Sequence, residues 1–299
     1  MQENIFNVFA IVGEPRNPNS LITHKQIYNF LKEKGKVVLI EQGLKKQLPE
    51  IEEVAFVADE VINQRADLVI CVGGDGNMIR AALRFAPHNI PLIGVNKGNL
   101  GFLTDIDPQD TSLSLERLLS PENYYIEERN TLEVSFFDEV DHKIEEKVNI
   151  FNEIALLGSR DNRILEVEVY VDKKFAFGMR GDGLIVSTPT GSTAYNLSTG
   201  GPIVHPLLHA VILTPMNAHT LTSRPVVIPA TSEIDILFKK DVTAETFDIY
   251  CDGALTHAST ATSHISIKST DFSVKMVHFN DYNYYSILAK KLNWSKRLF

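Results

Sequence analysis

The stretch Asp67-Leu-Val-Ile-Cys-Val-Gly-Gly-Asp-Gly-Asn-Met78 decides how the first half of the chain is built. Its apolar run, Leu68 to Val72, has the length and β-branched content of a strand buried on both faces. Gly73-Gly-Asp-Gly76 then predicts a tight turn at which another group approaches the backbone closely. Because Asn77 to Phe85 has a helical composition, the order is strand, glycine turn and helix. This order is typical of a phosphate-binding corner, where free N–H groups at the helix start face an anion.

Asp75 lies in the middle of this corner, and two roles are open for it. It could cap the following helix, since Asp is a good N-cap residue, or it could act on a bound substrate. Its position directly after a buried strand favours the second interpretation. The corner is not a Walker A loop, because no Gly-Lys-Ser/Thr follows, and it lacks the Gly-x-Gly-x-x-Gly pattern of a plain Rossmann dehydrogenase.

The composition is that of a soluble globular protein. Of 299 residues, 44% are hydrophobic and 22% are charged, which suits one large domain or two of ordinary size. The net charge of −9 argues against a nucleic-acid partner, which normally requires a basic face. No apolar run is long enough to cross a membrane, so we expect no membrane partner.

The two cysteines bear on the compartment. Cys71 lies inside the buried strand and Cys251 is far from it in sequence, so a disulfide framework or a cysteine-type zinc site is disfavoured. The start of the chain also lacks the basic and apolar regions of a signal peptide. We therefore expect a protein of the reducing cytoplasm.

Two kinds of element pattern follow one another along the chain. Up to about Leu119, strands alternate with helices, which predicts a Rossmann-like parallel α/β layer. A helix is expected from an N-cap at Ser20, and another around Glu52–Asn63. Strand-like runs dominate from Arg129 to about Val277 and predict a mainly β domain. We expect an α/β domain over residues 1–125, a mainly β domain over 126–280, and over 281–299 a tail that packs on the first domain.

A second informative stretch, Ser187-Thr-Pro-Thr-Gly-Ser-Thr-Ala-Tyr195, continues to Ser198-Thr-Gly-Gly-Pro202. Small hydroxyl residues and glycine dominate it, and it contains no charged residue. It could be a turn-rich β edge without further function. We favour a hydrogen-bonding cradle whose hydroxyls and amides hold a polar ligand, with Tyr195 against a flat ring. The absence of charge suits an uncharged nucleoside better than a bare phosphate.

Three weaker signals stand beside these. The adjacent amide and carboxylate of Asn152-Glu153 could hold ribose hydroxyls or a base edge, although such pairs are more often solvated. Arg180-Gly-Asp-Gly183 predicts an ion pair in a turn. His205 and His209 have the spacing of two metal ligands, but no third ligand is near in sequence, so a zinc site is disfavoured.

Taken together, the motifs resemble the NAD kinase family in its bacterial form, and the likeness covers nearly the whole chain. The Gly-Gly-Asp-Gly element alone is shared with diacylglycerol, sphingosine and phosphofructokinases, whereas Thr-Pro-Thr-Gly-Ser-Thr-Ala-Tyr is specific. The motifs that carry the resemblance, in chain order, are Gly73–Gly76, Asn96-x-Gly-Asn-Leu-Gly-Phe-Leu-Thr104, Asn152-Glu153, Asp182-Gly183 and Ser187–Tyr195, followed by the ending Trp294–Phe299.

The resemblance implies ATP-dependent phosphorylation of the adenosine 2′-hydroxyl of NAD, giving NADP, with a divalent cation such as Mg²⁺. It implies a β-sandwich-like second domain, a tail returning to the first domain, a site between the domains, and a homodimer or homotetramer. Asp75 would accept the proton of the hydroxyl. The residues that the resemblance places at the dinucleotide are Asp75, Gly76, Arg80, Asn152, Glu153, Arg163, Arg180, Asp182, Thr193, Ala194, Tyr195, Asn196, Leu197 and Ser198.

Three departures and two alternatives accompany this interpretation. Lys97 stands where Arg is frequent in the family, and Thr199 where Ala is. Ala254 stands where the family commonly has Gln, two residues after Asp252, so a side-chain contact to the ligand is expected to be lost there. The first alternative is a lipid or sugar kinase with the same glycine corner, which the acidic balance and the uncharged cradle disfavour. The second is a regulatory module that binds a dinucleotide without using ATP.

Overall fold

The computed structural model describes residues 6–15, 19–98, 101–138, 143–144, 147–158, 164–220, 222–238, 247–256 and 262–294. The chain divides into two compact units. Unit 1 comprises Met1–Glu128 and Val274–Phe299, and unit 2 comprises Arg129–Ser273.

Unit 1 is built on one seven-stranded sheet with helices beside it. Its strands are β1 (Val8–Val12), β2 (Val37–Glu41), β3 (Phe56–Val57), β4 (Leu68–Val72), β5 (Leu92–Val95), β6 (Tyr124–Arg129) and β19 (Val274–Phe279). Its helices are α1 (Asn19–Glu33), α2 (Asp59–Arg65), α3 (Asp75–Phe85), α4 (Thr111–Leu118) and α6 (Tyr284–Lys291). All five residues of β4 are completely buried, as the opening stretch predicts.

The strand order places a ligand site at one edge of this sheet. The order is β3-β2-β1-β4-β5-β19-β6, and the strands from β3 to β19 pair in parallel. The direction of winding reverses between β1 and β4, and ligands of open α/β sheets bind at the carboxyl ends of strands at such a reversal. Gly13 follows β1 at this edge, and a Cβ on it would lie 2.3 Å from the carbonyl oxygen of Val72. The loops after β1 and β4 therefore meet closely.

Unit 2 consists of two antiparallel six-stranded sheets. Their orders are β11-β10-β15-β18-β7-β8 and β14-β13-β12-β9-β16-β17. Apolar residues from both sheets, such as Ile236 and Val186, belong to one hydrophobic core, so the predicted sandwich is confirmed. The strands are β7 (Leu132–Phe137), β8 (Val148–Ile150), β9 (Glu153–Gly158), β10 (Leu165–Val171), β11 (Lys174–Gly181), β12 (Gly183–Ser187), β13 (Ala210–Met216), β14 (Val226–Pro229), β15 (Ile234–Phe238), β16 (Phe247–Cys251), β17 (Ala254–Leu255) and β18 (His264–Ser269); the short helix α5 covers Tyr195–Ser198.

Three sequence predictions are corrected. The helix predicted around Glu52–Asn63 is confirmed only from Asp59 onward, as α2. A short 3₁₀ turn and β3 come before it, because Phe56 pairs with Ile40 of β2. Helix α1 begins at Asn19 instead of after Ser20. Strand β19 was predicted to belong to the mainly β domain, but it pairs in parallel with β5 of unit 1. The composition of a strand does not reveal which sheet the strand joins.

The tail after β19 is helical, as expected, and α6 belongs to unit 1. Its N-cap is Asn283, whose side chain accepts a hydrogen bond from the N–H of Ser286. No helix within the described residues is long and apolar enough to cross a membrane.

Candidate active site

The carboxylate of Asp75 does not cap the helix that it begins. The N-cap position of α3 is Gly74, and no side chain accepts a capping hydrogen bond there. Asp75 Oδ2 instead accepts from the N–H of Phe102 and Oδ1 from the N–H of Leu103, both at 3.0 Å. The helix-cap interpretation is therefore wrong, and the second glycine-bearing loop orients this carboxylate.

Gly101 shows how closely this loop wraps the carboxylate. A Cβ on Gly101 would lie 2.2 Å from Asp75 Oδ1 and 2.7 Å from Thr104 Oγ1, and the Gly101 N–H donates to that hydroxyl. No larger side chain fits without moving one of these groups. The Asn96–Thr104 motif and the Gly73–Gly76 motif thus meet at Asp75.

Asn77 ties the loops after β1 and β4 together. Its Nδ2 donates to the carbonyl oxygens of Glu14 and Val72, at 3.1 and 3.2 Å. Its Oδ1 accepts from Arg80, which orients that exposed guanidinium. Both residues line a cleft of about 290 Å³ at the carboxyl edge of the sheet.

Arg84 lines the same cleft but is engaged by carboxylates. It lies 2.7 Å from Glu41 and 2.6 Å from Asp59. Lys97, on the loop after β5, was missed as a site residue: its Nζ is buried without a hydrogen-bond partner among the described residues. Burial lowers the pKa of Lys97 to about 8. Near the glycine corner, Arg80 and Lys97 are therefore two basic groups for which the described part of the chain shows no ion pair like those of Arg84.

In unit 2 the hydroxyl-rich stretch is largely bonded to the protein itself. Thr188 Oγ1 donates to the carbonyl of Phe151 at 2.6 Å, and Ser192 Oγ donates to the carbonyl of Val204 at 3.1 Å. Both side chains are completely buried, so the predicted ligand-binding hydroxyls at these positions are structural. From Thr193 onward most residues of the stretch reach the surface, and Tyr195 is 39% exposed.

Asn196 supports this exposed part from inside. Its side chain is completely buried and accepts a hydrogen bond from Thr214 Oγ1 at 2.6 Å. Its Nδ2 donates to the carbonyl of Pro202 at 3.2 Å. A Cβ on Gly201 would lie 2.1 Å from Asn196 Oδ1. The Asn196 side chain therefore shapes the turn and does not face a ligand.

Asp252 holds the Asn152-Glu153 pair, and it was not predicted as a site residue. Its Oδ1 accepts from the N–H groups of Asn152 at 2.8 Å and Glu153 at 3.1 Å. Its Oδ2 accepts from the N–H of Phe151 at 2.8 Å. Asp252 adopts a left-handed backbone with φ of 47°, and the Asp-Gly turn was the available signal.

Glu153 is buried beside this carboxylate. Only 6% of the residue is exposed, and Oε2 has no hydrogen-bond partner within the described part of the chain. Burial, and then the charge of Asp252, raise the pKa of Glu153 to about 8, while a hydrogen bond from the backbone of Tyr195 opposes the shift. A pKa of about 8 favours the neutral form of Glu153 at pH 7, which donates one hydrogen bond and accepts others.

Glu153, Tyr195 and Tyr250 line one cleft of about 220 Å³ in unit 2. Ala155 and Leu157 give the cleft an apolar lining, and Gly253 of the Asp252 turn also lines it. The predicted nucleoside cradle and the Asn152-Glu153 motif are thus brought together. A cleft with an apolar lining, two tyrosines and one buried polar group suits a ligand that combines a flat ring with hydroxyls.

The other predicted residues lie elsewhere or outside the described residues. The expected ion pair within Arg180–Gly183 is not formed: Arg180 pairs with Glu166 across β10 and β11 at 3.5 Å, and Asp182 accepts from Asn217 at 2.7 Å. Arg180 lines a separate cleft of about 580 Å³ with His219. Arg163 lies outside the described residues.

His209 pairs with the side chain of Asn130 at 3.2 Å, and His205 accepts from the N–H of Leu207 at 3.3 Å. Within the described ranges, no group of three or more histidine, cysteine or acidic side chains could hold a metal ion.

Comparison with known proteins assigns the chain to one family. The sequence model of the ATP-NAD kinase N-terminal domain matches residues 9–124, and that of the C-terminal domain matches residues 151–279. The chain belongs to the NAD kinase family. The NAD kinase of Yersinia pestis is 42% identical over 303 residues, covering 100% of both chains. That of Mannheimia succiniciproducens is 41% identical and covers 99% of this chain and 97% of the relative.

Two solved structures share the fold. Yeast NADH kinase complexed with NADH superposes with a TM-score of 0.86 at 22% identity, covering 98% of this chain and 90% of its own. An NAD kinase from Archaeoglobus fulgidus in complex with ATP has a TM-score of 0.72 at 24% identity, covering 97% and 100%. The predicted fold class and the predicted NAD kinase activity are confirmed, and the lipid-kinase and regulatory-module alternatives are set aside.

Proposed function

We propose that this NAD kinase transfers the γ-phosphoryl group of ATP to the 2′-hydroxyl of the adenosine ribose of NAD, with Asp75 as proton acceptor. The geometry of the Asp75 carboxylate carries the proposal. Each of its oxygens accepts one backbone N–H, and neither oxygen caps the helix. A carboxylate has about four lone-pair positions, so each oxygen keeps room for the proton of a hydroxyl.

The proposed reaction balances without further reactants. The ribose oxygen forms a bond to the γ-phosphorus as the bond from that phosphorus to the β–γ bridging oxygen breaks, and ADP leaves. The hydroxyl proton passes to Asp75. Phosphoryl transfer has a loose transition state, so catalysis depends mainly on positioning and on neutralising charge. A positioned base contributes roughly 10²–10⁴-fold to the rate.

The donor phosphates are proposed to meet the glycine corner of unit 1. The first N–H groups of a helix have no partner inside the helix, and α3 begins at Asp75, so the backbone around Gly76 offers donors to an anion. Arg80 and Lys97 supply positive charge at the same edge of the sheet. Mg²⁺ would enter with the substrate as MgATP, since it needs few protein ligands when it is bound to phosphates.

The dinucleotide is proposed to bind through unit 2. The cleft lined by Glu153 and Tyr195 offers a neutral acid for ribose hydroxyls and a ring for stacking. The predicted contacts at Asn152, Arg163, Arg180 and Asp182 remain predictions, as do those along Thr193 to Ser198. Because the Asn196 side chain is buried, its part in binding is to hold the turn. We also propose a cytoplasmic homodimer or homotetramer, which analytical ultracentrifugation would test.

The regiochemistry of the proposal has a direct test. Purified protein is incubated with ATP, Mg²⁺ and NAD, and the product is offered to a dehydrogenase that reduces NADP but not NAD. Reduction stoichiometric with ADP formation supports phosphorylation at the 2′-hydroxyl. ADP formation with a phosphorylated dinucleotide that this dehydrogenase does not reduce would place the phosphate on another hydroxyl.

A further inference from the structure

A buried cluster of polar groups in unit 1 has no place in the reaction described so far. His278, on β19, is completely buried. Its Nδ1 lies 2.9 and 2.8 Å from the two carboxylate oxygens of Asp105, whose side chain is only 6% exposed. Because a carboxylate only accepts, His278 Nδ1–H is the donor. Its Nε2 lies 4.0 Å from Glu127 Oε1, and its ring stacks on Tyr282 with centroids 3.9 Å apart.

Burying such a cluster costs free energy, so a contribution to stability alone does not explain it. Ionised and strongly polar groups lose their hydration inside a protein, and apolar residues of similar volume often serve stability as well or better. Its members also come from three separate parts of the chain: the loop after β5, strand β6 and strand β19. The C-terminal segment that supplies His278 is therefore tied to the loop that contains Asp105.

That loop is the one that orients Asp75. The N–H groups of Asp105 and Ile106 donate to the carbonyl of Gly94 at 3.1 and 3.0 Å, which fixes the backbone to β5. The His278 contact fixes the Asp105 side chain to β19. The N–H groups of Phe102 and Leu103, a few residues before Asp105, donate to the Asp75 carboxylate. Lys291 of α6 lies 5.6 Å over the Phe102 ring, a second contact from the C-terminal segment.

We propose that His278 is a positioning residue for Asp75: through its Nδ1–H bond to Asp105, it holds the Gly101–Ile106 loop so that the Phe102 and Leu103 amides aim the carboxylate. This inference rests on the proposed role of Asp75 as the base. A displacement of about 1 Å at a catalytic group can cost about 10²-fold in rate, so losing this hold acts on turnover more than on substrate binding.

Two amide variants separate positioning from a general structural role. In His278→Asn the side-chain amide nitrogen takes the place of Nδ1 and can still donate to Asp105. In His278→Gln it lies near the place of Nε2 and faces Glu127 instead. We expect kcat within about 3-fold of wild type for the Asn variant and a fall of at least about 10-fold for the Gln variant, with KM for NAD and ATP nearly unchanged in both.

Hydrogen–deuterium exchange gives a readout that does not depend on activity. The amides of Phe102 and Leu103 should exchange faster in His278→Gln and at the wild-type rate in His278→Asn. A third test combines His278→Gln with Asp75→Asn. If His278 acts through Asp75, the Gln substitution lowers the residual kcat of the double variant by less than about 2-fold, because the group it positions is gone.

The outcomes are distinct. Equal kcat and equal exchange in the Asn and Gln variants would overturn the proposal, and so would an undiminished effect of His278→Gln in the Asp75→Asn background. If His278→Gln does not fold, Asp105→Ser shortens the acceptor of the same bond and is expected to give the same loss of kcat and faster exchange. Near-normal turnover of Asp75→Asn would instead remove Asp75 as the base, while the exchange data would still show whether His278 holds the loop.

Discussion

The carboxylate of Asp75 is bonded to the backbone N–H of Phe102, 27 residues away, and not to the helix that Asp75 begins. A helix cap would have used its oxygens within the helix and fixed the carboxylate against the backbone of α3. The bonds to Phe102 and Leu103 leave lone pairs on both oxygens and hold the group in one orientation. In the proposed mechanism, the loop that supplies these amides therefore matters to catalysis as much as the glycine corner does.

Gly101→Ala tests the fit of that loop. The added Cβ would lie 2.2 Å from Asp75 Oδ1, so either the carboxylate or the loop must move. We expect kcat to fall by at least about 10-fold, since misplaced catalytic groups lose rate steeply. Gly43→Ala is the matched control, because its Cβ would have no atom within 4 Å. Steady-state kinetics of the two purified variants checks this, and equal kcat values would contradict it.

Asp252→Ala tests the clamp beneath the dinucleotide cleft. It removes the acceptor of three backbone N–H groups, those of Phe151, Asn152 and Glu153. Each buried donor left unpaired costs about 1–3 kcal/mol, so we expect the free energy of unfolding to fall by at least about 2 kcal/mol.

The same variant should raise KM for NAD by at least about 10-fold, since the loop that carries Glu153 is released. Asp252→Asn keeps one acceptor oxygen and should lie between wild type and Asp252→Ala in both measurements. Denaturant titration and NAD kinetics check the series. An unchanged KM in Asp252→Ala would show that the clamp does not serve the cleft.

Glu153→Gln tests the raised pKa of that carboxyl, which is about 8 in the folded protein. The unfolded carboxyl ionises near pH 4.5, so between that pH and pH 8 the folded state binds more protons at this group, and the contribution of Glu153 to stability falls as pH rises. The Gln variant lacks this loss. Its unfolding free energy relative to wild type should therefore increase from pH 5 to pH 8 by at least about 1.4 kcal/mol, the equivalent of one pKa unit.

Denaturant titrations of both proteins at matched pH values check this prediction. The comparison removes the contribution of all other titrating groups, because the two chains differ only at residue 153. A constant difference between the two proteins across this range would mean that Glu153 titrates near its ordinary pKa.

Local patterns predicted the parts of the fold in which neighbours in sequence are also neighbours in space. The five apolar residues of β4 are buried on both faces because nothing polar interrupts them, and the glycines after them mark where backbones approach. The nucleoside site predicted at Asn152-Glu153 and the stretch up to Tyr195 stays a prediction. Glu153 and Tyr195, one residue from each motif, line the same cleft of unit 2.

What could not be predicted depends on contacts between distant residues. Asp252 meets the N–H of Asn152 across 100 positions, and His278 meets Asp105 across 173. No local pattern records such a pairing. The hydroxyls of Thr188 and Ser192 were misassigned for a different reason: a small hydroxyl serves a ligand and a buried carbonyl equally well, and only packing decides between them. The strand β3 was mistaken for helix because two residues pairing with β2 override local helical composition.

The measurement that tests the central claim most directly is the turnover of Asp75→Asn. The substitution keeps the size of the side chain but removes the proton acceptor. We predict that kcat falls by at least about 10²-fold, the contribution expected of a positioned base, while the Kd for NAD by calorimetry stays within about 3-fold of wild type. Turnover within a few-fold of wild type, with NAD binding intact, would contradict the assignment of Asp75 as the base.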